Sequence, residues 1–365
     1  MKILYYISPF GFGHLTRSLA VIEAMLLCAP ELFVSIKCQL RHRRFAAAYL
    51  ESFADRIEYL DFSSSFSIVF DQESLAVDIA ATRRDTLRWV DGLAASAVRE
   101  ISEIKGSYDL VVSDIVPEAF KVAEKLAVPG IALSNFTWFE ICRSFCTEAE
   151  LAPLRQQYAL ATLQLEYGLS TGDLSPIVRR EAAGLVSRPF AAKRIAEIRE
   201  LYKKPGRPLI FLSIGGALEL QGLSLPKTAD FLYTQGIGLK NAENAIQLPS
   251  DLLDTQNYLA ACDGVVTKCG WSTVSETLLA GNALLLLRSS NGWLEEEAIL
   301  KGVSGSKQVA VFHAAADGNM PEDWLEPLLE RTHEVVFEKE FNSVDKIAER
   351  LLTFNISNQA GKQQG

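Results

Sequence analysis

Short apolar runs of strand length alternate along most of this chain with longer stretches of helical period, and that order restricts the fold more than any other feature. Ile3–Ile7 reads as a strand, and Thr16–Cys28 as a helix with Leu19, Ile22 and Leu26 on one face. Phe33–Cys38 and Asp109–Ser113 read as further strands, followed by a helix near Glu118–Leu126 and a strand at Gly130–Ser134. Such a βαβα order predicts a parallel, doubly wound sheet. Residues 145–200 are poorly patterned and read as mostly helical or irregular. Breaker signals follow at Ser187-Arg188-Pro189 and Lys203-Lys204-Pro205-Gly206, and then a second α/β series starts. Its strands are expected at Pro208–Ser213, Phe231–Gly236, Gly264–Thr267 and Ala283–Leu287, with a helix over Ser272–Leu279.

The fold class expected is therefore α/β, with two doubly wound, Rossmann-like domains facing a central cleft. The N-terminal domain is placed at 1–200 and the C-terminal domain at 201–345. A C-terminal helix and a disordered tail, beginning near Asn358, are placed in 346–365. A length of 365 residues agrees with two domains, because it exceeds the usual single core. The net charge of −9 argues against a nucleic-acid partner, which calls for a basic stripe. An acidic protein that binds a phosphorylated ligand must then do so with local donors. The six cysteines contain no C-x-x-C pair and form no zinc pattern with the four histidines, so reduced thiols and no metal site are expected. The opening apolar run is too short for a signal-peptide core, and nothing approaches the roughly 20 apolar residues of a membrane span. A cytoplasmic location is the expectation.

Ligands of doubly wound sheets bind beyond the carboxyl ends of the strands. Two segments with unusual chemistry fall there. The first is Gly11-Phe12-Gly13-His14-Leu15-Thr16-Arg17. Two glycines permit a tight turn and close approach of a ligand. His14 falls at a helix start, whose positive end disfavours the imidazolium and leaves a neutral ring able to accept a proton. The same segment is open to two other readings. It resembles a dinucleotide fingerprint, but Thr16 replaces the third glycine and no acidic residue ends the second strand, although Arg41, Arg43 and Arg44 suit an NADP phosphate. His14 is also open to a purely structural role.

The second segment is Val265-Val266-Thr267-Lys268-Cys269-Gly270-Trp271-Ser272-Thr273-Val274-Ser275-Glu276. It passes from a buried strand through a glycine turn into a helix N-terminus, which offers free N–H groups and a favourable dipole to a phosphate. Ser272 and Thr273 add hydroxyl donors, Lys268 adds a charge, and Glu276 stands where a carboxylate accepts both ribose hydroxyls. Thr273-x-x-Glu276 is equally a capping box, which would account for two of these residues without any ligand.

Together these segments resemble the GT-B glycosyltransferases of the UDP-glycosyltransferase and MurG-like type. The chain also resembles the glycosyltransferase-like N-terminal domain of plant L-arabinokinases, a likeness carried by the two segments above, by Asp109–Pro117, by Ser134-Asn135-Phe136-Thr137-Trp138 and by Gly215-Gly216. The family pattern has a histidine where this chain has Lys268. The resemblance implies that His14 is the base, with Asp114 or Glu118 orienting it. It implies that Gly13, Ser213, Gly215, Gly216, Lys268, Gly270, Trp271, Ser272, Thr273 and Glu276 hold the donor. Glu295 and Glu296 stand where an Asp-Gln pair holds the donor sugar, although an acidic run such as Glu295–Glu297 is also what a solvated helix face looks like. Phe12, Arg17, Phe136 and Trp138 fall on the acceptor side, although an aromatic cluster such as Phe136–Phe145 is equally a core.

The function implied is an inverting, metal-independent transfer from a nucleotide-sugar, a UDP-sugar by preference, to the hydroxyl of a small molecule, glycan or lipid-linked acceptor. The nucleotide-sugar is a substrate, and no cofactor is implied. Peripheral membrane contact is allowed for a lipid acceptor. Two alternatives stay open: a non-catalytic nucleotide-sugar sensor, and an epimerase or hydrolase on the same fold using Asp114, Glu118 and the 295–297 glutamates.

Overall fold

In the structure, a computed structural model, the residues described are 1–62, 66–70, 76–172, 174–215, 220–289, 291–313, 323–331 and 342–362. Seven strands form the first sheet: β1 (Lys2–Ile7), β2 (Phe33–Cys38), β3 (Ile57–Asp61), β4 (Leu110–Asp114), β5 (Gly130–Ser134), β6 (Leu163–Tyr167) and β7 (Arg180–Gly184). Their spatial order is β3-β2-β1-β4-β5-β6-β7, and every neighbouring pair is parallel. The second half contributes β8 (Leu209–Ser213), β9 (Leu220–Leu223), β10 (Asp230–Tyr233), β11 (Ile237–Leu239), β12 (Ala245–Gln247), β13 (Gly264–Lys268), β14 (Ala283–Arg288) and β15 (Val309–His313). Six of these make a parallel sheet in the order β12-β10-β8-β13-β14-β15, while β9 and β11 pair separately.

Helices cover both faces of these sheets, so the central strands are apolar throughout instead of alternating. Ile3 to Ile7 of β1 and Leu284 to Leu286 of β14 are fully buried. The strand forecasts for β1, β2, β4, β5, β8, β10, β13 and β14 hold to within a few residues. Residues 145–200 are a correction, because they contain two strands of the first sheet instead of only helix and coil. The edge strand β7 reads Arg-Glu-Ala-Ala-Gly and is partly exposed along its length, so no apolar run marks it.

From Asn342 the chain returns to the first half. Helix Val344–Lys362 packs on helix Gly13–Cys28, burying Ile347, Ala348, Leu351 and Phe354 in the same apolar cluster as Leu19 and Ile22. It extends as far as Lys362, into the segment expected to be a disordered tail. Arg350 clamps Glu181 of β7 with two hydrogen bonds of 2.8 Å. The return lies beside the outward crossing between the halves: Ser343 N–H donates to Leu185 O at 2.8 Å, and the Asn342 amide bonds Ser187 through both its oxygen and its nitrogen. Among the described residues no helix is long and apolar enough to cross a membrane.

Leu351 is fully buried on this returning helix. Leu351→Ala should cost about 2–5 kcal/mol in urea unfolding, as large-to-small core changes do. A loss below about 1 kcal/mol, the size of an ordinary surface change, would contradict this packing.

Candidate active site

Strand order reverses at β1/β4 in the first sheet and at β8/β13 in the second, and such reversals open a crevice at the carboxyl edge. The loops that follow β1, β8 and β13 line one cavity of about 310 Å³, with Gly13, His14 and Arg17 from one half and Lys268, Thr273 and Glu276 from the other.

After β1 the chain turns through Gly11, whose φ of 70° favours glycine, into helix Gly13–Cys28. A side chain at position 13 would press on Ser272, since a Cβ there would lie 3.0 Å from the serine Oγ. The Ser272 hydroxyl donates across the cavity wall to Gly13 O at 2.8 Å. This corrects the expectation for Ser272, whose hydroxyl bridges the halves instead of pointing free at a phosphate.

His14 is 7% exposed, and its Nδ1 lies 2.9 Å from Oδ1 of Asp114, the last residue of β4. Asp114 is fully buried and is also gripped by Arg17, with Nε at 2.8 Å from Oδ2 and Nη2 on Oδ1. Ser18 donates to the same carboxylate at 3.1 Å. Burial alone would raise the Asp114 carboxyl, but Arg17 and His14 override it and hold it at about 2. Burial, then the Arg17 charge, lowers the proton affinity of His14 against the pull of Asp114. The ring is therefore kept neutral, chiefly by desolvation and only secondarily by nearby positive charge.

Arg17 is a second correction. It is 3% exposed, so it presents little surface to an acceptor. Its Nη1 donates to Asn135 Oδ1 at 2.8 Å, and the guanidinium carbon sits 5.2 Å from the ring centres of both Tyr167 and Trp271. Trp271 lines the cavity, while its indole stacks on Tyr167 and donates to Gly168 O at 2.7 Å. Phe136 and Trp138 are 1% and 4% exposed within an aromatic core that includes Phe66 and Trp89. A cluster buried to that degree offers no membrane-docking face. Phe12, at 39% exposed, is the acceptor-side residue that does reach the surface, against His42 and Phe45. Glu118 bonds Ser96 at 3.0 Å, and burial pushes it up to about 7. Of the two carboxylates considered for His14, the structure brings Asp114 to the ring.

In the second half, β8 ends at Ser213, whose hydroxyl oxygen accepts from Thr234 at 3.1 Å, and Gly215 turns with φ 74°. Gly216 lies outside the described residues. Helix Trp271–Ala280 starts from Gly270 without any side-chain cap, so the Thr273–Glu276 capping box does not form. Its first-turn N–H groups are left for a ligand in the cavity. Lys268 rises beside this turn, with its ammonium 5.4 Å from the centre of the Phe70 ring. Desolvation lowers its proton affinity, opposed by Glu295 and Glu296.

Glu276 faces the cavity while Arg188 holds it from behind, with Nε to Oε1 at 3.0 Å. Arg188 is 2% exposed and further bound to Leu253 O and Thr255 Oγ1. Sequence reasoning missed this residue, since Ser187-Arg188-Pro189 carries only a linker signal. Glu295 accepts from Asn135 at 3.0 Å, and Glu296 accepts from Ser289 through both N–H and hydroxyl. Burial raises both carboxyls. Glu297, paired with Arg288 at 2.5 Å, is the solvated member of the acidic run.

Two outcomes follow from these buried pairs. Asp114 has a depressed carboxyl, so its contribution to stability is complete above the ordinary value of 3.8 and disappears as pH falls through about 2. Urea unfolding of Asp114→Asn should therefore show a deficit at pH 7 that shrinks toward pH 2. A pH-independent deficit would contradict the pairing. Arg188→Met, which strands Glu276, should lose about 3–5 kcal/mol at pH 7. A loss within about 0.5 kcal/mol, as at an ordinary surface site, would show that the pair is not buried in solution.

No protein-family model matches the chain. L-arabinokinase of Arabidopsis thaliana is 23% identical over 350 residues, covering 90% of this chain, which spans 32% of that relative's length. Among solved structures, Arabidopsis thaliana UGT89C1 complexed with UDP-L-rhamnose superposes with a TM-score of 0.62 at 13% identity, covering 99% of this chain and 98% of the other. Phytolacca americana UGT2 complexed with UDP-2fluoro-glucose and pterostilbene gives 0.58 at 13% identity, covering 97% and 99%. Two parallel sheets, each with its switch point on a shared cavity, and these superpositions agree: the chain has the GT-B fold of the UDP-glycosyltransferases.

Proposed function

We propose that the protein is a glycosyltransferase that moves a hexosyl group from a nucleotide-sugar to an acceptor hydroxyl. The observation that carries this reading is the meeting in one cavity of His14, set against Asp114, with an uncapped helix N-terminus, Lys268 and Glu276. The UDP-sugars bound in the plant neighbours favour uridine as the base.

In the proposed reaction the acceptor hydroxyl gives its proton to Nε2 of His14 as its oxygen attacks the anomeric carbon. The bond from that carbon to the diphosphate oxygen breaks on the opposite face, so the centre inverts. The electron pair leaves with the diphosphate, where the N–H groups of the first turn of Trp271–Ala280 and the Lys268 ammonium stabilise the growing charge. Glu276, held in place by Arg188, accepts from the ribose hydroxyls. Glu295 and Glu296 take the donor sugar, and the acceptor, whether small molecule, glycan or lipid-linked, enters beside Phe12. No cofactor or metal takes part in this scheme.

One observation favours a second reading, a nucleotide-sugar-binding module without transfer: Arg17 occupies both oxygens of the carboxylate that His14 needs. Calorimetry with UDP, GDP, TDP and NADP, followed by donor turnover, separates the two. UDP should bind to wild type and to His14→Ala, and Glu276→Gln, which keeps the side chain's shape over Arg188, should weaken binding at least about tenfold, equivalent to ~1.4 kcal/mol. Transfer or donor hydrolysis abolished in His14→Ala would support the enzyme. UDP binding without turnover in wild type would leave the module, and binding of NADP alone would overturn both readings.

A further inference from the structure

A ring nitrogen of histidine has one in-plane site: it carries a proton and donates, or bears a lone pair and accepts. Nδ1 of His14 has two neighbours competing for that site, Asp114 Oδ1 at 2.9 Å and Arg17 Nη2 at 2.7 Å. Nη2 is itself hydrogen-bonded to the same Oδ1 at 2.5 Å. A guanidinium only donates. Were Nδ1 protonated, two N–H donors would stand 2.7 Å apart on a single oxygen. With Nδ1 bare, one Nη2–H is shared between Oδ1 and Nδ1, and each contact on Arg17 pairs a donor with an acceptor. The ring proton is then on Nε2.

We propose that Arg17 is a positioning residue that holds His14 as the Nε2–H tautomer in the unliganded protein, so that His14 becomes a base only after Arg17 yields Nδ1 to Asp114. This rests on the reading of His14 as the transferase base. The change moves one proton from Nε2 to Nδ1 by exchange with water and leaves the net charge unaltered. Its use is protective: a ring bearing Nε2–H cannot deprotonate a stray water and so cannot spend the donor on hydrolysis.

The surroundings hold Arg17 in this role. Its other nitrogens are fixed by Asp114 Oδ2 and Asn135, and its guanidinium carbon lies 5.2 Å from the centres of both the Tyr167 and Trp271 rings. Asn135 in turn donates to Glu295, which belongs to helix Leu294–Gly302 of the other half. A ligand that engages Glu295 therefore acts on the partner that anchors Arg17. The charged or titratable groups that bear on His14 are Arg17 on its own helix and Asp114 at the end of β4, with His42 on the neighbouring helix Leu40–Tyr49. Phe10 and Phe136 supply the apolar remainder.

The test is the nitrogen-15 spectrum of the histidine rings in the full chain without nucleotide, with His14 assigned through His14→Gln. Wild type should show His14 protonated at Nε2 and bare at Nδ1. Arg17→Lys keeps the charge but loses the fork, and should convert His14 to the Nδ1–H form and raise donor hydrolysis at least about tenfold, a small part of what a general base contributes. Should that variant unfold, Arg17→Met, which removes the competing donor and keeps Asp114 as the acceptor of Nδ1–H, should give the same Nδ1–H form. A wild-type His14 protonated at Nδ1, or a tautomer unmoved in folded variants, would overturn the proposal. The spectrum needs no substrate, so its failure is separate from that of the transferase reading: UDP turnover with Nδ1–H in wild type sinks only the tautomer assignment, and the expected spectrum without UDP binding sinks only the transferase.

Discussion

Every strand of a parallel sheet delivers its chain to the same edge, and at one place in each sheet the successive loops part to opposite faces. The rest of this molecule depends on that constraint. β1 and β4 bring the His14 turn and Asp114 to one parting, and β8 and β13 bring the Gly215 turn and Lys268 to the other. Because helices then start at Gly13 and Trp271, two positive helix ends meet the same cavity, and the Ser272–Gly13 hydrogen bond joins them directly. The chemistry is not distributed over the surface; the topology leaves it one location.

Sequence patterning reveals such topology well where strands are buried on both faces. Ile3–Ile7, Gly130–Leu133 and Ala283–Leu287 are unbroken apolar runs because helices cover them from both sides. It fails where a strand lies at an edge, as β7 does, since partial exposure leaves no periodic signal. The site divides the same way. His14, Asp114 and Lys268 stand at strand ends or helix starts, and Glu276 about one turn into its helix, places that local pattern marks. Arg188 reaches Glu276 across 88 positions, and Arg17 reaches Asp114 across 97. Pairings of that separation exist only once the sheets have formed, so a linker arginine looks like any other, and the bracing bonds of Ser272 and Trp271 are invisible in the local pattern.

The electrostatics of the cavity follow from those long-range pairs. Arg17 and Arg188, the two deeply buried cations of the site, are each committed to a carboxylate. Lone charges at such depth would cost several kcal/mol, and pairing offsets that cost only when both partners are present. Positive character available to a ligand therefore comes from backbone N–H groups and from Lys268, which rests over an aromatic ring. For a chain of net charge −9, anion binding by fixed dipoles keeps the attraction local and independent of the overall field.

The two crossings between the halves run side by side, tied by Asn342 to Ser187 and by Ser343 to Leu185. Two separated tethers would stop the halves from turning; two adjacent ones act as a single pin. Covalent continuity thus joins the halves at one place, and everything else that holds them together is carried by contacts such as Ser272 to Gly13 and Asn135 to Glu295.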